Sequence, residues 1–536
     1  MEKSSLLSSL VLCLAIATTA CAGNAPEPNV ANAAENETTE QATGNQSVAV
    51  TLQGFTTVEG ADLAARLEAA SQRARSKSGP YWSAYSFDVR PGVAVDPGVH
   101  EFHGSMNTIG DTSVFVGTTA SGMTVETRNL AIFLLREPGN NSVARMEVYN
   151  LERKREYSSY PVYWLGRSNN EESLNYMRAL AAAAPQTLLG ERAVLGIALH
   201  DDPRVASMLK TFIGSSQNQR IRSSSVYWLG QVGGEQAFLA DLVRNNSEEV
   251  KLRRQAAHAI GESRDRNALS TLQSLYETVK EVDVRRAIIQ AAGNNQEQEA
   301  AYAFIIKIAR SDPEKQSRRT AVQQLGEFER ANIVEELSKL YAGETDPEVK
   351  KAMLHALAET KSPGAQARLL ELAKSEPNPD LRKRAIHVLA ERGEAAVGDL
   401  LNLYDSERTP EVRRTVLQSL SEIKSTRVED KLFAVARADE NIELRRHAIR
   451  LLGERAGKRA LDFLSDTAQS NDGNTEVQIQ AVRAISERSP EESVPLLIKI
   501  AKTHANQQVR KQAIRALGES GDPRAVEFFR EVLAKE

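Results

Sequence analysis

Cysteine is almost missing from this 536-residue chain: there are two, Cys13 and Cys21, and both lie within the first 21 residues. The rest of the chain therefore folds without disulfides, thiolate metal sites or a cysteine nucleophile. Aromatic residues are also scarce, at 5 %, which suits packing between small-residue helix faces better than a large β-core. An excess of one charge is absent too. The formal net charge of −4 is small for this length and argues against nucleic acid or an acidic membrane surface as the partner. Past the N-terminus no run approaches the roughly 20 apolar residues that span a bilayer. No G-x-S-x-G, P-loop or G-x-G-x-x-G occurs. The expectation is a chain that is not an enzyme and uses no cofactor.

The N-terminus reads as an export signal. Lys3 supplies a weak positive start, opposed by Glu2, and residues 6–17 form a short apolar run interrupted by Ser8 and Ser9. Thr18, Thr19 and Ala20 follow, and Cys21 stands where a lipobox places its lipidated cysteine. A lipobox usually has Leu three positions earlier; here it is Thr18. Lipidation of Cys21 and ordinary cleavage nearby, for instance after Ala22, are the two readings. The first puts the protein in the cell envelope on a lipid anchor facing the periplasm; the second makes it periplasmic or secreted. Residues 22–48 are rich in Asn, Ala, Glu and Thr and poor in large apolar residues. They cannot bury a core and read as a disordered tether.

Residues 49–155 read as a small antiparallel β-domain. One helix is expected near 61–74, where Leu63, Leu67 and Ala70 share a face. Strands are expected at 81–89, 112–117, 122–128, 130–137 and 143–151. Residues 156–190 are assigned to a junction or cap. The string VYWLG occurs there at 162–166 and again at 226–230, but Pro161 disfavours a helix at the first site.

From about residue 191 to 536 the chain repeats. One column is held by Gly230, Gly261, Gly293, Gly326, Ala358, Ala390, Ser421, Gly453, Ser486 and Gly518, at intervals of 31 to 33. Eight residues before each stands a cation: Arg222, Arg253, Arg285, Arg318, Lys350, Arg382, Arg413, Arg445 and Arg510, with Gln478 the exception. A period near 32 with two helices per unit predicts an α-solenoid. The second helix of several units has clear start signals: Asp346-Pro347-Glu348, Asn378-Pro379-Asp380 and Thr409-Pro410-Glu411.

DPEVKKAMLHALAE (346–359) and VRKQAIRALGESGDPRAV (509–526) resemble HEAT repeats of the type shared with phycobilisome-lyase-like proteins. The resemblance implies a mainly α fold: a right-handed solenoid of about eleven HEAT-like repeats behind the β-rich domain. It says little of function, because such repeats serve many partners.

Counting from the cation column as zero, columns three, four and seven are apolar and predict the core; Ala256, Ala257 and Ile260 are one set, Ala513, Ile514 and Leu517 another. Columns one, five and nine share a different face. Column one is mostly Arg or Lys and column nine mostly Glu. Column five grades from Tyr227 through His258, His355 and His387 to Arg450, Arg483 and Arg515. In HEAT-like arrays the second helices line the concave surface, so this column is either a partner-binding groove or a solvated helix face with i,i+4 ion pairs. Positive charge concentrates towards Arg450, Arg483 and Arg515, a ladder suited to an acidic protein segment.

Metal binding is not expected. The HEAT-repeat iron enzyme deoxyhypusine hydroxylase carries His-Glu dipeptides on its inner helices. None of His200, His258, His355, His387, His447 or His504 is followed by Glu. His100-Glu101-Phe102-His103 lacks the His-Glu-x-x-His spacing. The functional expectation is an envelope scaffold or adaptor gripping a protein partner. The alternative is an enzyme or accessory subunit with a ligand or metal site in its β-domain.

Overall fold

The computed structural model describes residues 54–534, except 77–78, 97–101, 110–111, 120–125, 138–141, 154, 156, 158, 184–187, 217, 296, 456 and 471–473. The export signal, Cys21, the tether, His100 and Glu101 lie outside the described residues.

The N-terminal part contains β1 (Phe55–Thr57), α1 (Leu63–Arg75), β2 (Tyr81–Ser86), β3 (Ala94–Val95), β4 (Phe102–Ile109), β5 (Thr112–Thr119), β6 (Leu130–Arg136), β7 (Val143–Asn150) and β8 (Val162–Arg167). One sheet runs β1-β8-β2-β6-β7 and the other β3-β5-β4. The first sheet is mixed rather than antiparallel, because β8 pairs in parallel with both β1 and β2. β8 is the VYWLG string, so the segment assigned to a junction supplies an interior strand. Pro161 sits just outside the strand, where its missing N–H costs no ladder bond, and its carbonyl accepts from Trp82 N at 2.9 Å. Of the expected strand at 122–128, residues 126–128 are not in a strand and the rest lie outside the described residues.

The helical part starts with α2 (Asn170–Ala183) and α3 (Leu188–Ala198). Next come α4 (Arg204–Ser215) with α5 (Gln219–Val232), α6 (Gln236–Arg244) with α7 (Val250–Glu262), and α8 (Ala268–Thr278) with α9 (Val282–Gly293). The middle pairs are α10 (Gln298–Ser311) with α11 (Lys315–Glu327), α12 (Ile333–Gly343) with α13 (Pro347–Glu359), and α14 (Pro363–Ser375) with α15 (Pro379–Ala390). The last are α16 (Glu394–Ser406) with α17 (Pro410–Ser421), α18 (Thr426–Ala438) with α19 (Ile442–Gly453), α20 (Lys458–Gln469) with α21 (Thr475–Ser486), and α22 (Pro490–Thr503) with α23 (Gln507–Ser520). α24 (Pro523–Leu533) follows. Odd-numbered helices from α3 to α23 stack on one another more closely than the even-numbered ones do. A stack that is tighter on one side curves towards that side, so the odd-numbered helices are the inner ones.

Start signals behave largely as read. Asp346 and Asn378 cap α13 and α15 through their side chains. Thr409 makes no such bond; Glu407 instead accepts from Thr409 N at 2.7 Å.

The glycine column explains the close inner stacking. A Cβ on Gly230 would sit 2.6 Å from Ala259 O, and one on Gly261 2.5 Å from Ala291 O. On Gly453 it would lie 2.8 Å from Ala484 Cβ. Only a residue without a side chain allows that approach. Where the column carries Ala358, Ala390 or Ser421, the pairs α13–α15, α15–α17 and α17–α19 stand least intimately of the inner series. Ser486 of α21 is the exception.

The cation column ties each unit together. Arg222 Nε donates to Ile213 O at 2.7 Å, Arg253 Nε to Val243 O at 2.8 Å and Arg382 Nε to Ala373 O at 2.9 Å. These carbonyls belong to the last turn of the preceding outer helix, where no helical N–H remains to satisfy them. Arg222 and Arg382 also reach a carboxylate in the next unit's interhelical loop, Glu248 and Glu407, and other members of the column do the same. Arg318 grips Glu344 bidentately at 2.8 and 3.0 Å; Arg285 pairs with Asp312 and Arg413 with Asp439, both at 2.5 Å. In alternate units a tyrosine joins them. Tyr276, Tyr341 and Tyr404 donate to Asp312, Glu376 and Asp439 at 2.7, 2.7 and 2.8 Å. The cation of the same unit lies over each ring.

One hydrophobic core runs from the sheet into the solenoid, joining Tyr85, Leu134 and Met146 to α2, α3 and every later pair. Two buried polar links cross that junction. Glu147 of β7 is fully buried and pairs with Arg192 of α3 at 3.0 Å and Arg145 at 2.6 Å, while Thr112 of β5 donates to it at 3.0 Å. His200 stacks on Phe87 at 4.3 Å. Its Nδ1 lies 2.7 Å from Gly196 O and its Nε2 2.8 Å from Ser173 Oγ, which donates to Tyr85 OH at 3.1 Å.

Two outcomes follow from this packing. Burial lowers the His200 pKa from 6.5 to about 4, so below pH 6.5 the unfolded chain takes up a proton that the fold refuses. Stability at the junction should fall as pH drops from 6.5 to 4, by roughly 3 kcal/mol from this group. Thermal unfolding of wild type and His200→Gln over that range checks it: the variant should lose part of the slope. Gly261→Ala should cost about 1–3 kcal/mol by forcing α7 and α9 apart. Ala390→Gly should cost only about 0.5–1 kcal/mol, the backbone penalty. Hydrogen exchange should show the Gly261→Ala damage confined to neighbouring units.

Candidate functional site

The inner helices bury columns three, four and seven, as the spacing predicts: Ala256, Ala257, Ile260, Ala385, Ile386 and Leu389 are all fully buried. Ile514 departs from the pattern at 41 % exposure, because no described inner helix covers that side of α23. Columns one, five and nine are left on the open face. Inner helices run across this face, so columns four residues apart form stripes about 6 Å apart, from the 1.5 Å rise per residue.

Column five is less uniform than its spacing suggests. Tyr227 is half-buried, and Asn107 of β4 hydrogen-bonds its hydroxyl; burial, then nearby Glu262, push its pKa up to about 12. The small sheet therefore closes this end of the face. His258 is half-buried and held below the usual imidazole range by burial and by Arg254. His355 is lowered by burial and by Arg384, whose guanidinium donates to its Nδ1 at 3.1 Å. With Nδ1 accepting, the ring proton sits on Nε2. His387 Nδ1 lies 2.8 Å from the Ser419 hydroxyl of the next inner helix.

The three arginines do not form an equivalent ladder. Arg450 pairs with its own Glu454 and donates to Gln418 at 2.9 Å. Arg515 pairs with its own Glu519 at 2.9 Å. Arg483 makes no ion pair among the described residues and is exposed.

Column one shows the complementary picture. Lys351 pairs with Glu348 at 2.8 Å and Arg446 with Glu443 at 2.9 Å. Arg319, Lys383 and Arg414 make no ion pair among the described residues. Two of these, Arg319 and Lys383, line a cavity of about 540 Å³ across α11, α13 and α15, together with Gln323, Lys351, His355, Arg384 and His387. Its two acids are Glu348 and Asp380. It lies at α13–α15, where Ala358 replaces glycine.

Column nine is placed against the helix dipole. Glu262, Glu327 and Glu359 end α7, α11 and α13, and Glu391, Glu422, Glu454 and Glu487 are the C-caps of α15, α17, α19 and α21. A carboxylate is unfavourable at a helix C-terminus. Adjacent units also repel: burial and then Glu359 raise the Glu327 pKa. The acid column shows in the sequence, but its cost shows only at the helix ends.

No group of three or more His, Cys, Asp or Glu able to hold a metal occurs among the described residues. No described helix is long and apolar enough to cross a membrane.

A family profile described as HEAT repeats matches residues 302–390, 367–436, 397–474 and 467–536. The comparison with curated proteins found no match. Among solved structures, Kap95p with RanGDP is 11 % identical over 68 % of this chain and 58 % of that one, with a TM-score of 0.37. Kap121p bound to the SUMO protease Ulp1p is 13 % identical over 65 % and 45 %, with a TM-score of 0.39. Importin beta in ammonium sulfate is 14 % identical over 65 % and 57 %, at 0.30. The chain matches about half the length of these structures. The helical array is solenoid-like, with HEAT repeats matched over residues 302–536, and follows a small strand-containing domain.

Proposed function

We propose that this chain is a protein-binding scaffold of the cell envelope, gripping its partner on the inner-helix face. The carrying observation is the acid column at the inner-helix ends. These carboxylates oppose the dipole of their own helices and, at Glu327 and Glu359, each other. A residue type repeated in register at a site where it weakens its own helix is accounted for by something the face binds. Along that face His258, His355, His387, Arg450, Arg483 and Arg515 are the partner-contacting column, and Tyr227 marks its end under β4. A protein suits the mixed charge better than nucleic acid, which calls for an unbroken basic surface.

The envelope half of the proposal rests on the leader. The short apolar run, the small residues and Cys21 support export and a lipid anchor, with residues 22–48 as the tether. The finer likeness of units 346–359 and 509–526 to phycobilisome-lyase-type repeats brings no bilin chemistry into the proposal, and no catalytic role is assigned.

Two experiments test the two halves. A photo-reactive phenylalanine placed at Gln290 or Arg483 on the inner face should cross-link a protein partner in cells. The same group at Lys307 or Lys374 on the outer helices should not; equal yields from both faces would remove the binding-face assignment. Feeding cells an alkynyl fatty acid should label wild type but not Cys21→Ser, and equal labelling would remove the lipid anchor.

A further inference from the structure

Building on the scaffold reading, we infer that the cavity across α11, α13 and α15 is the docking subsite for an acidic segment of the partner protein, held by Arg319 and Lys383.

At about 540 Å³ the cavity falls within the roughly 300–1,000 Å³ of ordinary ligand pockets. It lies where the inner stack loosens: α13 and α15 pack less closely than α11 and α13. Gly326 of α11 lets Ala356 approach to within 3.1 Å of where its Cβ would stand. Ala358, one unit later, has a real Cβ there, and the helices part.

Of the four cations lining the cavity, Lys351 is held by Glu348 at 2.8 Å and Arg384 is turned towards His355 at 3.1 Å and Glu391 at 3.8 Å. Arg319 and Lys383 make no ion pair among the described residues, and Arg414 of α17, also without one, continues the stripe. The acid column does not enter the lining. The cavity therefore carries four cations against two acids, Glu348 and Asp380. An acidic occupant is favoured over a basic one.

Three donors are offered without a prior partner, the Arg319 guanidinium, the Lys383 ammonium and the His355 Nε2–H, against one free carboxylate, Asp380, with the Gln323 amide able to serve as donor or acceptor. A carboxylate accepts from all three kinds, and arginine does so bidentately. Arg450 and Arg515, by contrast, are committed to Glu454 and Glu519. At the cationic end of column five only Arg483 stays uncommitted, with no free partner beside it in its column, whereas Arg319 and Lys383 share one cavity at the centre.

The test uses the purified full chain and a fluorescein-labelled peptide of alternating Glu and Gly, followed by anisotropy at low salt. Arg319→Ser/Lys383→Ser should weaken binding by about tenfold, the order expected from losing charge-assisted contacts. Lys307→Ser/Lys374→Ser on the outer helices should leave it unchanged. Both double variants alter exposed or half-exposed residues off the core, so helical circular dichroism should match wild type. Carbodiimide treatment of the complex should join peptide carboxylates to Lys351 and Lys383. Three results would overturn the inference: unchanged affinity in the Arg319/Lys383 variant, coupling spread evenly over surface lysines, or tighter binding of a matched Lys–Gly peptide or of single-stranded DNA. If inner-face cross-links from Gln290 and Arg483 persist while the peptide ignores Arg319 and Lys383, the subsite fails and the scaffold reading stands. If those cross-links are also lost to the outer face, both fail.

Discussion

How near one inner helix can come to the next governs most of what this chain does structurally. Burial of Ala256, Ala257 and Ile260 pulls α7 onto its neighbours, and the hydrophobic gain grows with the apolar area removed from water. The limit is set at the eighth column, where backbone meets backbone. Glycine there lets the helices close until a missing Cβ would touch the alanine opposite. At Ala358 and Ala390, where a methyl group stands in that column, the contact is looser, although Ser486 shows that a side chain there does not always part the helices. The cavity adjoins the first of these looser contacts.

Around this constraint the polar groups divide by position. On the outer edge, the cation column is consumed in structure: it satisfies carbonyls at the ends of outer helices and pairs with loop carboxylates, most of them poorly exposed. Tyr276, Tyr341 and Tyr404 reinforce the contact in three alternate units. On the inner face the charges are only partly consumed. Some cations pair within their own helix, others, Arg319, Lys383, Arg414 and Arg483 among them, make no ion pair among the described residues, and the acids sit at the unfavourable ends. Two columns that look equally charged in sequence therefore have opposite roles.

The repeat was legible because its period shows in two columns at once, and helix starts at Asp346 and Asn378 carry their own chemistry. The sheet was legible only in part. VYWLG is a strand at 162–166 and a helix at 226–230, so five identical residues say little without their setting. After Pro161 they lie between β1 and β2 and complete a ladder; after Ile221 and Ser225 they lie against α7 and bury Trp228. The arginine column was legible only in part for a related reason. Spacing places Arg450, Arg483 and Arg515 in one column, but side-chain pairing within each helix decides which stays available. His387 likewise reads as a surface residue in sequence, whereas it meets Ser419 of the next inner helix.

The three loosest inner contacts are consecutive: α13–α15, α15–α17 and α17–α19. On either side the inner helices stack more tightly, at Ser486 as well as at the glycines. A rod built this way is not uniformly elastic. Strain applied between its ends concentrates in the compliant middle, leaving two stiff arms that move as levers. The soft segment is also the one that begins at the cavity, so whatever fills that space works against the array's bending modulus.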